Sequence, residues 1–137
     1  MANVKELLRA EENGSLSFGD YSLDRKTKLA DFKHGGDVYK VKTFGEITRL
    51  EKNGRVAYES VPGSAVHYFK DTGRQISFEA ESNDDIQITL EVEPEKVYRV
   101  YVDDTNIGKI KSNLGGKISF SIETDPGEPV KVLVVKA

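Results

Sequence analysis

The chain holds few residue types able to do covalent chemistry. It has two histidines, His34 and His67, and no cysteine. His34 sits in Lys33-His34-Gly35-Gly36-Asp37, which reads as a turn, and His67 in Val66-His67-Tyr68-Phe69, which reads as a strand. A catalytic triad needs an imidazole held between a nucleophile and an orienting carboxylate. No spacing here brings the three together, and the plain reading is an ordinary surface or half-buried histidine. Lack of cysteine excludes disulfides, thiolate zinc and a cysteine nucleophile. Carboxylates are better stocked. Glu91, Glu93 and Glu95 share one face of an expected strand, with Asp84 and Asp85 just before it. Asp103-Asp104-Thr105-Asn106 offers the loop oxygens that calcium takes, although the same residue types dominate ordinary turns. A glycosidase pair needs two carboxylates about 5 to 9 Å apart in a cleft, and a small sandwich rarely offers one. There is no Walker loop, G-x-S-x-G or H-E-x-x-H. Gly35-Gly36 and Gly115-Gly116 read as hairpin glycines, because no helix follows to cradle a phosphate. No catalytic, cofactor-binding or metal-binding residue is assigned, and no cofactor is expected.

Aromatic side chains are the remaining route to a ligand site, since flat rings stack on sugars. There is no tryptophan, but there are six tyrosines, Tyr21, Tyr39, Tyr58, Tyr68, Tyr98 and Tyr101. Tyr101 faces away from Tyr98, Val100 and Val102, which makes it the candidate ligand-binding residue. The alternative is that it packs in a second layer and that the other rings fill the core.

What must position these residues is a β scaffold. A chain of 137 residues is one domain or two very small ones. No apolar run approaches the roughly 20 residues of a membrane span. The net charge of −3 leaves no electrostatic footprint for nucleic acid. Met1 to Leu8 lacks the pattern of an export signal, so the expected location is cytoplasmic.

Residues 3 to 12 are expected to form a short N-terminal helix. Asn3 and Glu6 fit a capping box, and Gly14 fits a stop. Val4, Leu7 and Leu8 form one apolar stripe on it. A helix this short is unstable alone, so the stripe docks either on its own domain or on a protein partner or second copy. These three are the candidate partner-binding residues. After Gly14 the pattern is strands. Ile86, Ile88, Leu90 and Val92 alternate with polar residues, as do Ile76, Phe78 and Ala80 with Ser77, Glu79 and Glu81, and Ile118, Phe120 and Ile122 with Ser119 and Ser121, which puts one face inward and leaves the other in water. Val97 to Val102 and Val130 to Val135 are apolar on both faces, the mark of central strands. Asn53-Gly54 is a strong hairpin signal. Further turns recur about every ten residues, as in a sandwich or barrel. Lys40, Lys42, Arg99, Lys109, Lys111 and Lys117 punctuate the strands and suit solvated faces and charged edges.

The chain also echoes itself. Tyr39-Lys40-Val41, Gly54-Arg55-Val56 and Pro62-Gly63 are followed later by Tyr98-Arg99-Val100, Gly116-Lys117-Ile118 and Pro126-Gly127. Either the chain holds two related β-units, 15–82 and 83–137, after a helix in 1–14, or one compact domain whose turns look alike, as they do in any β protein.

Ser17-Phe18-Gly19-Asp20-Tyr21, Asp37-Val38-Tyr39-Lys40-Val41-Lys42-Thr43-Phe44 and Tyr58-Glu59-Ser60-Val61-Pro62-Gly63 resemble a family of small uncharacterised proteins from anaerobic Firmicutes. Some of its members carry an endosialidase label. No catalytic residue here matches that activity, and none is carried over. Tyr98-Arg99-Val100-Tyr101-Val102-Asp103, Gly108-Lys109 and Gly115-Gly116-Lys117-Ile118-Ser119-Phe120 are similar to the accessory β-sandwich domains that close polysaccharide-degrading enzymes. That resemblance implies a non-catalytic module with carbohydrate nearby.

The expectation is therefore an all-β, antiparallel two-sheet β-sandwich with a short N-terminal helix. Its expected role is a non-enzymatic structural or protein-interaction protein that self-associates as a homo-oligomer or takes a protein partner. The alternative is a carbohydrate-binding or accessory module. No nucleic acid or membrane partner is expected.

Overall fold

A strand with one apolar and one polar face is stable only when the apolar face meets another. The alternating stretches of this chain satisfy that need in two layers. The computed structural model describes residues 3–137, and every regular element among them is a strand. In chain order these are β1 (Leu8–Ala10), β2 (Leu16–Phe18), β3 (Thr27–His34), β4 (Asp37–Phe44), β5 (Ile47–Lys52), β6 (Arg55–Val61), β7 (Ala65–Asp71), β8 (Gln75–Glu81), β9 (Ile86–Glu91), β10 (Val97–Val102), β11 (Thr105–Lys111), β12 (Lys117–Ile122) and β13 (Val130–Lys136). One sheet runs β1-β2-β7-β8-β13-β10-β11 and the other β12-β9-β6-β5-β4-β3. All pairings are antiparallel.

The inner faces share one core. Tyr58 of the six-stranded sheet stands edge-on to Phe18, Phe69 and Phe78 of the seven-stranded sheet, with ring centroids 5.3, 6.1 and 5.5 Å away. Edge-to-face packing sets the positive ring edge against a negative face and adds about 0.5–1.5 kcal/mol per pair beyond burial. Residues of the segments 15–82 and 83–137 mix in both sheets. β8 pairs with β13 and β6 with β9, so the segments 15–82 and 83–137 build the same two layers.

The expected N-terminal helix is absent, a correction to the sequence reading. Met1 and Ala2, the first residues of its assigned range 1–14, lie outside the described residues. The rest forms a turn and a strand. Leu7 N–H donates to Val4 O at 2.9 Å, and Leu7 takes a positive φ of 71°, which no helix tolerates. β1 then pairs with β2. Asn3 does not cap a helix; its side chain accepts from Tyr21 N–H at 2.8 Å. Ten residues form too few helical hydrogen bonds to offset nucleation, whereas a sheet edge satisfies the backbone and buries the same apolar side chains. Val4 and Leu8 are buried in the chain's own core, and Leu7 packs against it.

The Asn53-Gly54 hairpin forms between β5 and β6, with φ of 52° and 82°. Asn53 also ties a neighbouring turn: its Oδ1 accepts from Val38 N–H and its Nδ2 donates to Asp37 Oδ1.

The opposite end of the sandwich is held by a buried hydroxyl network around the β6–β7 connection, which contains a cis Val61-Pro62 peptide. Ser64 Oγ lies 2.9 Å from Tyr58 Oη and 2.7 Å from Ser60 Oγ. Thr48 Oγ1 donates to Ser64 O at 2.9 Å and accepts from Ser64 N–H at 3.0 Å, and it meets Thr43 Oγ1 at 2.8 Å. Each hydroxyl is paired, so burying them carries no desolvation penalty for unmade bonds.

The two long sides of the sandwich differ. On one, β1 lies beside β3, and His34 Nε2 hydrogen-bonds to Gly14 O at 3.0 Å. On the other, the short connection 112–116 links β11 to β12, and each is the last strand of its sheet. No helix of the described residues is long and apolar enough to cross a membrane.

Candidate functional site

Tyr101 stands half-buried on the outer face of the seven-stranded sheet, opposite Leu133 of β13 and Asn106 of β11. β13 is internal, between β8 and β10, but its outer side chains Leu133 and Val135 remain partly open. Among the described residues no second layer covers the face there. A depression of about 170 Å³ is lined by Ser77, Tyr101, Asp104, Lys131 and Leu133. Lys131 Nζ pairs with Asp104 Oδ1 at 3.4 Å across it. This is an aromatic and aliphatic floor with polar groups at its rim.

The acidic loop beside it is spent on β13 and on its own hairpin. Asp103 Oδ1 accepts from Lys131 N–H at 2.9 Å, and Asn106 Oδ1 accepts from Gly108 N–H at 2.8 Å. Among the described residues no three His, Asp or Glu side chains converge as metal ligands.

Glu91, Glu93 and Glu95 do not share a strand face. β9 ends at Glu91, and Glu95 turns at a positive φ of 53°. Glu91 pairs with Arg55 at 3.0 Å and Lys117 at 3.5 Å. Glu93 pairs with Lys136, which lowers its pKa below the ordinary glutamate range through that hydrogen bond and charge. Both flank a cavity of about 290 Å³ at the hairpin end, floored by Ile76, Tyr98 and Val134.

The histidines sit in different sheets. His34 caps the end of β3, whereas His67 is buried on β7. His67 Nε2 lies 4.0 Å from Glu81 Oε1. Glu81, read from its alternation as a solvated residue, is one of the most buried side chains of the chain. Its Oε2 accepts from Gly127 N–H at 2.8 Å and from the Tyr21 hydroxyl at 3.4 Å, while Oε1 has no hydrogen-bond partner among the described residues. Burial and then this carboxylate push the Tyr21 phenol upward. Sealed from solvent, the pair clasps β7 and β8 to the 19–26 and 123–129 loops and offers no substrate access.

Four strand edges are available for pairing, and three carry protection. β1 is three residues long. β3 is bulged between Leu29 and Phe32, with Asp31 at φ 59°. β11 is bulged opposite Val100 and Tyr101 and carries exposed Lys109 and Lys111. β12 pairs with β9 in unbroken register from Lys117 to Ile122. Its exposed residues are Ser119 and Ser121, and Lys117 folds back to donate to Val56 O at 2.8 Å. Length, bulges and lysines are the usual protections of an edge, and β12 lacks a bulge, a proline and an outward charge. Three exposed apolar side chains belong to this end of the chain: Val97 (39%), Ile107 (49%) and Leu114 (80%). Sequence alternation found β12 as a strand, but register alone reveals it as an edge.

The molecule is thus an antiparallel two-sheet β-sandwich, with a shallow aromatic depression on one outer face and one regular, unpaired edge. Comparison with protein-family models, curated proteins and solved structures finds no match to this chain.

Proposed function

We propose that this chain is a non-enzymatic interaction protein that associates with itself. The observation that carries the reading is the open long side, where β11 and β12 end their sheets and Ile107 and Leu114 stand uncovered. An unpaired edge is a template for another chain, and exposed large apolar residues are what an interface removes from water. Light scattering on a sizing column, across a range of concentrations, is expected to give a defined dimer or larger assembly. Ile107→Lys combined with Leu114→Lys is expected to lower that mass. A wild-type monomer at every concentration would overturn the reading.

A second reading is a carbohydrate-binding or accessory module, favoured by the position of Tyr101. Its ring is half-exposed above Leu133, with Ser77, Asp104 and Lys131 in reach of sugar hydroxyls. In this case oligosaccharides raise the melting temperature, and Tyr101→Ala abolishes the shift. A flat response over a broad glycan panel rejects it.

A further inference from the structure

We infer that the cavity at the hairpin end of the sandwich binds a free α-amino acid with an apolar side chain. This is independent of self-association and of the outer face at Tyr101. The starting point is a carboxylate in an apolar position. Asp71 ends β7 directly opposite Ile76 of β8, and opposed residues of an antiparallel pair point to the same face of their sheet. Ile76 belongs to the core and lies in turn opposite Val134. The Asp71 side chain is therefore set at the mouth of the inner face, beside the floor of Ile76, Tyr98 and Val134. Its Oδ1 accepts from Gly73 N–H at 2.8 Å, and it makes no ion pair among the described residues. Arg74, in the turn that follows, lines the same cavity. Its guanidinium has neither a hydrogen-bond nor an ion-pair partner among the described residues. The other charges at the rim are already answered, Glu91 by Arg55 and Lys117, and Glu93 by Lys136. What remains is one acid and one base on the same turn, not paired with each other, above an apolar floor. One small molecule complements all three features. Its ammonium meets Asp71, its carboxylate takes the forked donors of Arg74, and its side chain lies on the floor. A simple amine leaves Arg74 unanswered, and a simple carboxylate leaves Asp71 so. The volume of about 290 Å³ matches the smallest ligand pockets, which suits a single amino acid better than a peptide.

The test is an amide chemical-shift titration of the full chain with L-leucine and L-phenylalanine. Saturable shifts are expected at residues 71–76, 92–98 and 134. Leucinamide lacks the carboxylate and 4-methylpentanoate lacks the ammonium. Each is expected to bind about tenfold more weakly than leucine, the effect of losing one hydrogen bond between charged groups. Asp71→Asn keeps an acceptor for Gly73 N–H, and Arg74→Gln alters an exposed side chain. Circular dichroism checks that both variants keep the fold. Asp71→Asn is expected to weaken leucine about tenfold and to leave 4-methylpentanoate bound no more weakly than before. Arg74→Gln is expected to weaken leucine equally and to leave leucinamide unchanged. Absence of a saturable shift with either amino acid overturns the inference. So does binding of leucine that neither variant alters, or that 4-methylpentanoate and leucinamide match.

Discussion

Gly63→Ala is expected to destabilise the protein by about 3 kcal/mol or more, as overpacking against an immovable neighbour does. A Cβ at residue 63 falls 2.0 Å from the Phe44 carbonyl oxygen, and that neighbour is backbone. Neither side yields easily. Gly63 N–H donates to Gly45 O at 3.0 Å, and Gly63 O accepts from Ser82 Oγ at 2.6 Å. The added methyl must therefore part the β4–β5 turn from the β6–β7 connection and disturb the hydroxyl network beside them. Gly54→Ala makes the comparison. A Cβ there meets nothing within 4 Å, and only its φ of 82° is strained, at a cost of about 1 kcal/mol. Urea unfolding of the two variants measures the difference. Equal losses would mean that the β4–β5 turn moves freely.

The second large effect appears in alkali. Tyr58 is fully buried, and burial pushes its phenol up from 10.0 to about 12, against the smaller opposite pull of the Ser64 and Ser60 hydroxyls. Below pH 10 the phenol is protonated in folded and unfolded chains alike, and its full contribution is present. Between 10 and 12 only the unfolded chain releases the proton. Stability then falls by about 1.4 kcal/mol per pH unit, roughly 3 kcal/mol in all, and levels off above 12. Tyr58→Phe removes this dependence. At neutral pH the variant is expected to be less stable by about 1 kcal/mol, because Ser64 loses a hydrogen-bond partner. Near pH 12 the order is expected to reverse, with the phenylalanine variant the more stable of the two. Denaturant melts from pH 8 to 12 test this, and parallel curves would mean that Tyr58 ionises within the folded chain.

Local features were legible in the residues because their physical causes are local. Period-two alternation placed β8 and β12 within a residue of their observed ends and found the start of β9 but ran it on past Glu91, and Asn53-Gly54 marked its hairpin because both positions accept positive φ. The misread helix has an equally local cause. Three apolar residues at positions 4, 7 and 8 suit one face of a helix, but they suit a turn entering a strand as well. Only the free edge of β2 decides between the two. Glu81 was misread for a different reason. Alternation correctly assigns it to the outer face of β8, but the Tyr21 and Gly127 loops come back over that face and bury it.

By itself, then, the sequence determined the strands, their turns, the two apolar faces that must meet and the absence of thiol and disulfide chemistry. These depend on residue type and on the two-residue period of an extended backbone. Tertiary structure alone decided strand order and register. Pairing between strands such as β8 and β13, about fifty residues apart in the chain, is chosen by the packing of all their neighbours at once. That order decides which carboxylate is buried, where Tyr101 opens to solvent, and why β12, an ordinary alternating strand as a sequence, stands unpaired at the edge of its sheet.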